Sequence, residues 1–276
     1  MGRDRGVSGL APKIRQDLDR SGFPLEIEVG SKFSNGSWKV THQPVFRDED
    51  ENRSRYTDIA ATKTVSEAFL DFSRLTVRVV CECKRSNKPW IFYTPPSDEL
   101  KDKTMAVLSY LKFRFHPSVQ PGPLIGRLYE SHYLSKAPTD RLGQAYYIAF
   151  RDSPNKERRP RGYDQIFDAT NQVLKALRFQ VSDFETTVRK MGRGMPTTVV
   201  LFYPLIVFDG QLYQYFLTHD EESVLEETSH VKYRVAFLGS SDVTEQFLVD
   251  VIAKKSLSKY LDQLDQEMEA ITRGKS

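Results

Sequence analysis

Between Leu75 and Arg85 the chain reads LTVRVVCECKR, and this stretch constrains the fold more than any other. Its β-branched residues favour an extended strand. Side chains alternate across a strand, so Val77, Val79, Cys81 and Cys83 share one face while Arg78, Val80, Glu82 and Lys84 share the other. A carboxylate and an ammonium then stand two residues apart at the end of an otherwise apolar strand. Burying them is costly unless they pair or bind a metal.

The surrounding pattern predicts a sheet for this strand to join. Further strands are expected at 37–46, 56–63, 88–96, 144–150 and 230–239, and as a pair over 197–217 that turns at Asp209-Gly210, a favoured hairpin dipeptide. The 88–96 strand follows 75–85 so closely that the two should form a hairpin, and 144–150 should be buried. Helices are expected over 12–22 and over 24–36, where Leu25, Val29 and Phe33 recur every four residues. The alternation in LEIEV also fits a strand there, but helix is the preferred reading. More helix is expected at 66–74 (one turn), 97–115, 163–179 and 241–271, the last with Phe247, Val251, Leu261, Leu264 and Met268 as its apolar face. DEDENRSR (48–55) reads as a polar loop. This order predicts an α/β protein, a central mixed β-sheet flanked by helices on both faces. Residues 1–11 read as a disordered tail and 12–276 as one domain, with 94–162 as an insertion.

At 276 residues, with 28% charged and 39% hydrophobic residues, the composition is that of a globular protein in water. The sequence holds no apolar run long enough for a transmembrane helix, and MGRDRGVSGLAPK lacks the apolar core of a secretory signal. A cytoplasmic protein without membrane contact is therefore expected. The net charge of +3 is compatible with nucleic acid. Basic runs at 154–162 and 188–194 would serve that role, although such runs are usually solvated surface. Cys81 and Cys83 fit no zinc pattern and read as core packing. The five histidines are scattered and take no role.

Asp58, in YTDIAATK, lies 24 residues before Glu82 on another expected strand. If the two strands are neighbours, both carboxylates meet, and with a backbone carbonyl they make an oxygen-rich site for a hard cation such as magnesium. Lys84 would orient or help deprotonate a water, or steady developing negative charge. The acidic-x-Lys triplet also occurs at Glu99-Leu100-Lys101, so the triplet alone is weak. That copy is expected at a helix start, where residues two apart do not share a face.

Asp58 followed by Glu82-Cys83-Lys84 resembles the PD-(D/E)XK nucleases, which have the restriction-endonuclease-like fold. GFPLE, GSWKV, RYTDIAATK, VVCECKRS and WIF follow one another as in several defence-associated members. The similarity covers about residues 22–92. VVLFYPLIVFDGQLY is compatible with the fold's downstream strands. The resemblance implies a magnesium- or manganese-dependent deoxyribonuclease acting as an endonuclease, with DNA as partner; a homodimer is compatible with it. By that resemblance Asp58, Glu82 and Lys84 are catalytic, and Asp58, Glu82 and the Cys83 carbonyl hold the metal. Glu26 matches the family's first-helix glutamate, with Glu28 as competitor. Thr57 departs from the pattern, standing where the family commonly has proline. Gln172 resembles a later-helix glutamine of some exonuclease branches, but reads more simply as a solvated helix residue. The alternative is a catalytically silent nuclease-fold protein that binds nucleic acid or a protein partner.

Overall fold

The computed structural model describes residues 9–66, 72–95, 112–119, 141–149, 164–191, 196–238 and 244–273. The chain begins with helices α1 (Leu10–Arg20) and α2 (Phe23–Asn35). Pro24 opens α2, which buries Leu25, Val29 and Phe33 along one stripe. Helix is thus the outcome for LEIEV. The first helix starts at Leu10, inside the stretch read as a tail.

Strands β1 (Lys39–His42), β2 (Val45–Asp48), β3 (Arg53–Tyr56) and β4 (Ile59–Val65) form two antiparallel pairs, β1 with β4 and β2 with β3. They amount to one long hairpin, broken on both legs at residues 43–44 and 57–58. Gln43 sits at φ 47° and its N–H bonds the Asp58 carbonyl, while Thr57 N–H bonds the Pro44 carbonyl. The outer ribbon, β2 and β3, therefore leaves the main sheet. The expected 37–46 strand is split here, and much of the expected 48–55 loop is strand.

Strand β5 (Arg74–Arg85) pairs antiparallel with β4 and parallel with β9 (Thr198–Asp209) along its whole length. Strands β6 (Trp90–Tyr93), β7 (Lys112–Phe115) and β8 (Ala145–Ile148) precede helix α3 (Gln165–Met191). Strands β10 (Leu212–Leu217), β11 (Ser223–Glu227), β12 (His230–Leu238) and β13 (Thr244–Ala253) follow β9, and a 3-10 turn leads into α4 (Leu257–Arg273). The central sheet is mixed and seven-stranded, in the order β1-β4-β5-β9-β13-β12 with β7 also on β9. β7 covers Val199–Phe202 and β13 covers Leu205–Phe208, so Pro204, which has no N–H to donate, falls between them.

Two apolar layers enclose the sheet. Val77, Val79, Cys81 and Cys83 pack with α2 and α4 on one face, and Val80 packs with α3 on the other. The alternation expected along this strand holds, and helices cover both faces of an α/β sheet.

Five further expectations fail. β6 does not form a hairpin with β5. It pairs parallel with β10 and antiparallel with β8, in a second sheet ordered β11-β10-β6-β8. β10 likewise does not fold back on β9. The two parallel neighbours β5 and β9 bend together and continue side by side as β6 and β10. Gly210 serves this bend by close approach, since a Cβ there would lie 2.6 Å from the Ser86 carbonyl oxygen. β8 is an edge strand exposed over most of its length, not a buried one. Residues 112–115 are strand where helix was expected; the rest of that helix, the 99–101 triplet and most of 94–162 lie outside the described residues.

The fifth is 244–253, which is strand where helix was expected. Phe247 and Val251 do lie on one side, but together with Val249, as alternation requires. The opposite side of β13 carries Asp250, fully buried beneath α4. His230 Nε2 lies 2.6 Å from its carboxylate, Lys232 donates at 3.3 Å and Tyr260 donates at 3.0 Å. Against the penalty of burial, Lys232 and His230 hold this carboxyl well below the usual range. A buried charge with this many partners fastens the last helix to the sheet.

Candidate active site

The site forms where the long hairpin breaks. Ile59 is the last β4 residue paired with β5, opposite Cys81. Beyond it, β5 has no strand on that side among the described residues. Thr57 and Asp58 take the strand's place: Thr57 Oγ1 lies 3.2 Å from the Cys81 carbonyl, and Cys83 N–H donates to Asp58 Oδ2 at 2.7 Å. A residue's N–H and C=O leave a strand on the same side, so the Cys83 carbonyl also faces the Asp58 side.

Glu82, on the α3 face of β5, is 1% exposed. Its Oε1 accepts from Thr57 Oγ1 at 2.7 Å and from Asp58 N–H at 3.3 Å, and its Oε2 accepts from Lys84 Nζ at 3.0 Å. Burial, and next the Asp58 charge, push the Glu82 carboxyl up to about 7. Burial also raises Asp58, although Lys84, the Cys83 N–H and a hydrogen bond with Glu82 pull it back. Each of the two adjoining carboxyls is thus harder to ionise beside the other. Burial alone would lower the Lys84 ammonium, but Glu82 and Asp58 more than offset this and hold it charged.

Thr57 takes part in the proton's placement. It has one O–H for two acceptors, the Cys81 carbonyl and the Glu82 carboxylate. With Glu82 ionised, the hydroxyl serves the carboxylate. With Glu82 protonated, the carboxyl can donate to Thr57 and Thr57 to Cys81. Threonine at position 57 therefore offers this carboxyl a hydroxyl that proline would lack.

Of the two glutamates on α2, Glu26 faces the site and Glu28 does not. Burial and the Asp58 charge raise Glu26, while Gln43, Lys84 and His42 act the other way. Gln43 Nε2 donates to Glu26 at 3.4 Å. Glu28 pairs instead with Lys254 at 3.2 Å. The structure therefore brings Asp58, Glu82, Lys84 and the Cys83 backbone into direct contact, with Glu26 at their edge.

Three contributors were not assigned from sequence. His42 lies against Gly30 of α2, one turn from Glu26; a Cβ on Gly30 would stand 2.3 Å from the ring's Cε1. Asp168 on α3 feels the Lys84 charge, though burial and Asp164 raise its carboxyl. Gln172, one turn further along, donates to the Tyr56 carbonyl, two residues from Asp58. That glutamine is a tether from α3 to the hairpin break, not a merely solvated residue. The spacing of Asp164, Asp168 and Gln172 along one helix face was the available signal. The thiol of Cys83 is raised by its hydrogen bond with Cys81 and by burial, so it stays protonated in the core.

The fold and site define an α/β protein with a buried carboxylate pair and a lysine at a strand end. No protein-family model, curated protein or solved structure matches the chain. Among the described residues, no group of three or more His, Cys, Asp or Glu side chains gathers as a metal centre, and no helix is long and apolar enough to cross a membrane. The 154–162 run lies outside the described residues, and of the 188–194 run Arg189 pairs with Glu185 at 3.8 Å.

Proposed function

We propose that this chain is a metal-dependent nuclease of the PD-(D/E)XK kind, with the restriction-endonuclease-like fold, hydrolysing phosphodiester bonds, most of all of DNA. The observation that carries the reading is the contact set itself: Lys84 Nζ on Glu82 at 3.0 Å, Asp58 on the Cys83 N–H at 2.7 Å, and both carboxyls buried.

The donor set fits a hard divalent cation. Magnesium is commonly held by one or two carboxylates, with waters and substrate phosphate oxygens completing its shell. Asp58 and Glu82 supply the carboxylates, and the Cys83 carbonyl lies on the same side. A bound magnesium or manganese ion would supply Lewis acidity toward the phosphate and make a bound water more acidic. The residues do the rest. Lys84, kept charged by both carboxylates, orients the nucleophile and offsets charge on the phosphate oxygens. Thr57 turns its hydroxyl between Glu82 and the Cys81 carbonyl as Glu82 changes state. Glu26, its carboxyl raised by burial and by Asp58, stands at the edge of the site.

One observation favours the alternative, a silent nuclease-fold protein that binds nucleic acid or a protein partner. Thr57 and Asp58 also satisfy the exposed backbone of β5, a purely structural service. Cleavage of supercoiled plasmid and single-stranded DNA by the full-length protein, with magnesium, manganese or chelator, separates the two. Metal-dependent cutting that disappears in Asp58→Ala and Lys84→Ala supports the nuclease. Undiminished cutting by Lys84→Ala refutes the mechanism, and folded wild type that cuts nothing favours the silent protein.

A further inference from the structure

Beside the carboxylates, the β2–β3 ribbon and α3 enclose a cavity of about 450 Å³, the size of a small-ligand site. From α3 it is lined by Phe167, Asp168, Asn171 and Gln172. Two of these belong to the candidate site as well: Asp168 lies in the field of Lys84, and Gln172 holds the Tyr56 carbonyl. Whatever occupies the cavity is therefore a close neighbour of whatever meets Lys84.

The lining narrows the occupant. Phe167 leaves 53% of its surface in water, an apolar ring at the mouth of a polar cavity. Asn171 and Gln172 bring amide groups suited to the edge of a planar ring. The cavity's two basic residues, Arg55 and Lys175, are ion-paired with buried Asp48 at 2.7 and 2.8 Å. Asp168 is joined in the lining by Asp50 and Glu51. The balance repels a phosphate and favours a group that donates N–H bonds. A flat ring with N–H donors, attached to a phosphate, describes a nucleobase. Enzymes that admit an unpaired base stack it on aromatic side chains and read its edge by hydrogen bonds.

We infer that this cavity receives an unpaired nucleobase carrying an exocyclic amino group, next to the phosphate held at Lys84, with Phe167 as its stacking surface and Asp168 and Asn171 facing its edge. The inference rests on the nuclease reading and narrows it to strands with unpaired or extruded bases. Adenine, cytosine and guanine meet the requirement; thymine and an abasic sugar do not.

The test is binding in chelator, where nothing is cut. Fluorescently labelled oligodeoxyadenylate, oligodeoxycytidylate, oligothymidylate and an abasic strand of equal length are titrated with full-length wild type, Phe167→Ala and Asn171→Ala, each checked for fold by circular dichroism. Tighter binding of the adenine and cytosine strands, weakened about tenfold or more by Phe167→Ala, is expected from the measured value of base–aromatic stacking. Abasic binding should be unchanged by that substitution. Equal binding of all four strands, or no binding of any, overturns the inference. The cleavage assay reads separately: cutting without base preference removes the pocket and keeps the nuclease. Base-dependent binding without cutting keeps the pocket and removes the nuclease.

Discussion

Replacing Glu82 by glutamine isolates the cost of ionising one buried carboxyl beside another. In the folded protein this group titrates at about 7, whereas the ordinary value is 4.5. At roughly 1.4 kcal/mol per pH unit, that difference is worth about 3 kcal/mol. The direction follows from proton counting. Between about 4.5 and 7 the folded chain keeps a proton that the unfolded chain has lost, so stability falls as pH rises through that window. Above about 7 both states are ionised and this contribution is level. Glutamine cannot titrate, so the variant lacks the slope. The assay is urea unfolding of wild type and Glu82→Gln across that pH range in chelator. The variant carries a constant offset, because Lys84 loses a charged acceptor at 3.0 Å. What matters is that the stability difference, wild type minus variant, declines by about 3 kcal/mol from the acid to the neutral end. Magnesium should restore wild type progressively as pH rises, because metal and proton compete for the same oxygens. Curves for the two proteins that run parallel across the window would refute the reasoning.

Thr57→Val removes the hydroxyl 2.7 Å from Glu82, so it should raise the Glu82 carboxyl further and cost about 1–3 kcal/mol at neutral pH, read by unfolding and by carboxyl NMR titration. Asp250→Ala strands the buried Lys232 charge and should cost about 3–5 kcal/mol in denaturant midpoint experiments. An equally stable Asp250→Ala protein would show that the cluster under α4 carries no such weight. Gly30→Ala gains helix propensity of about 1 kcal/mol yet forces the His42 ring to move, so stability should change little. Its signature is a displaced His42 resonance and a Glu26 carboxyl raised further, since His42 lowers it in the wild type. An unmoved His42 signal would count against the contact.

The meeting of the two acids with Lys84 was more legible than the topology, and particular residues explain why. Glu82 and Lys84 could be placed on one face because alternation along LTVRVVCECKR needs nothing beyond the strand itself. Asp58 could be paired with them because its strand is the next one back in sequence. Asp168 and the Gln172 tether could not, since their place depends on how α3 crosses the sheet. The 244–253 segment was misread because Phe247 and Val251 satisfy a helical spacing and an alternating one at once. Val249, Val251 and Ile252, a β-branched cluster, were the discriminating signal. The β5–β6 hairpin failed because short separation favours a turn only when no better neighbour exists, and β10 offered β6 a parallel partner across the bend. The Asp209-Gly210 dipeptide was read for its torsional freedom, whereas the structure uses its lack of a side chain.

The two flanks of β5 are separated very differently along the chain. Asp58 and Glu82 come from a local hairpin, but Arg85 meets Asp209 across 124 residues. A chain emerging from the ribosome can therefore form the β4–β5 pair early, with both acids still in water and titrating ordinarily. Only when β9 has paired with β5 and α3 covers that face does Glu82 lose its solvent and its carboxyl rise. Such long-range parallel closure is slow, so the carboxylates gain their chemical character late in folding, as the last product of assembly.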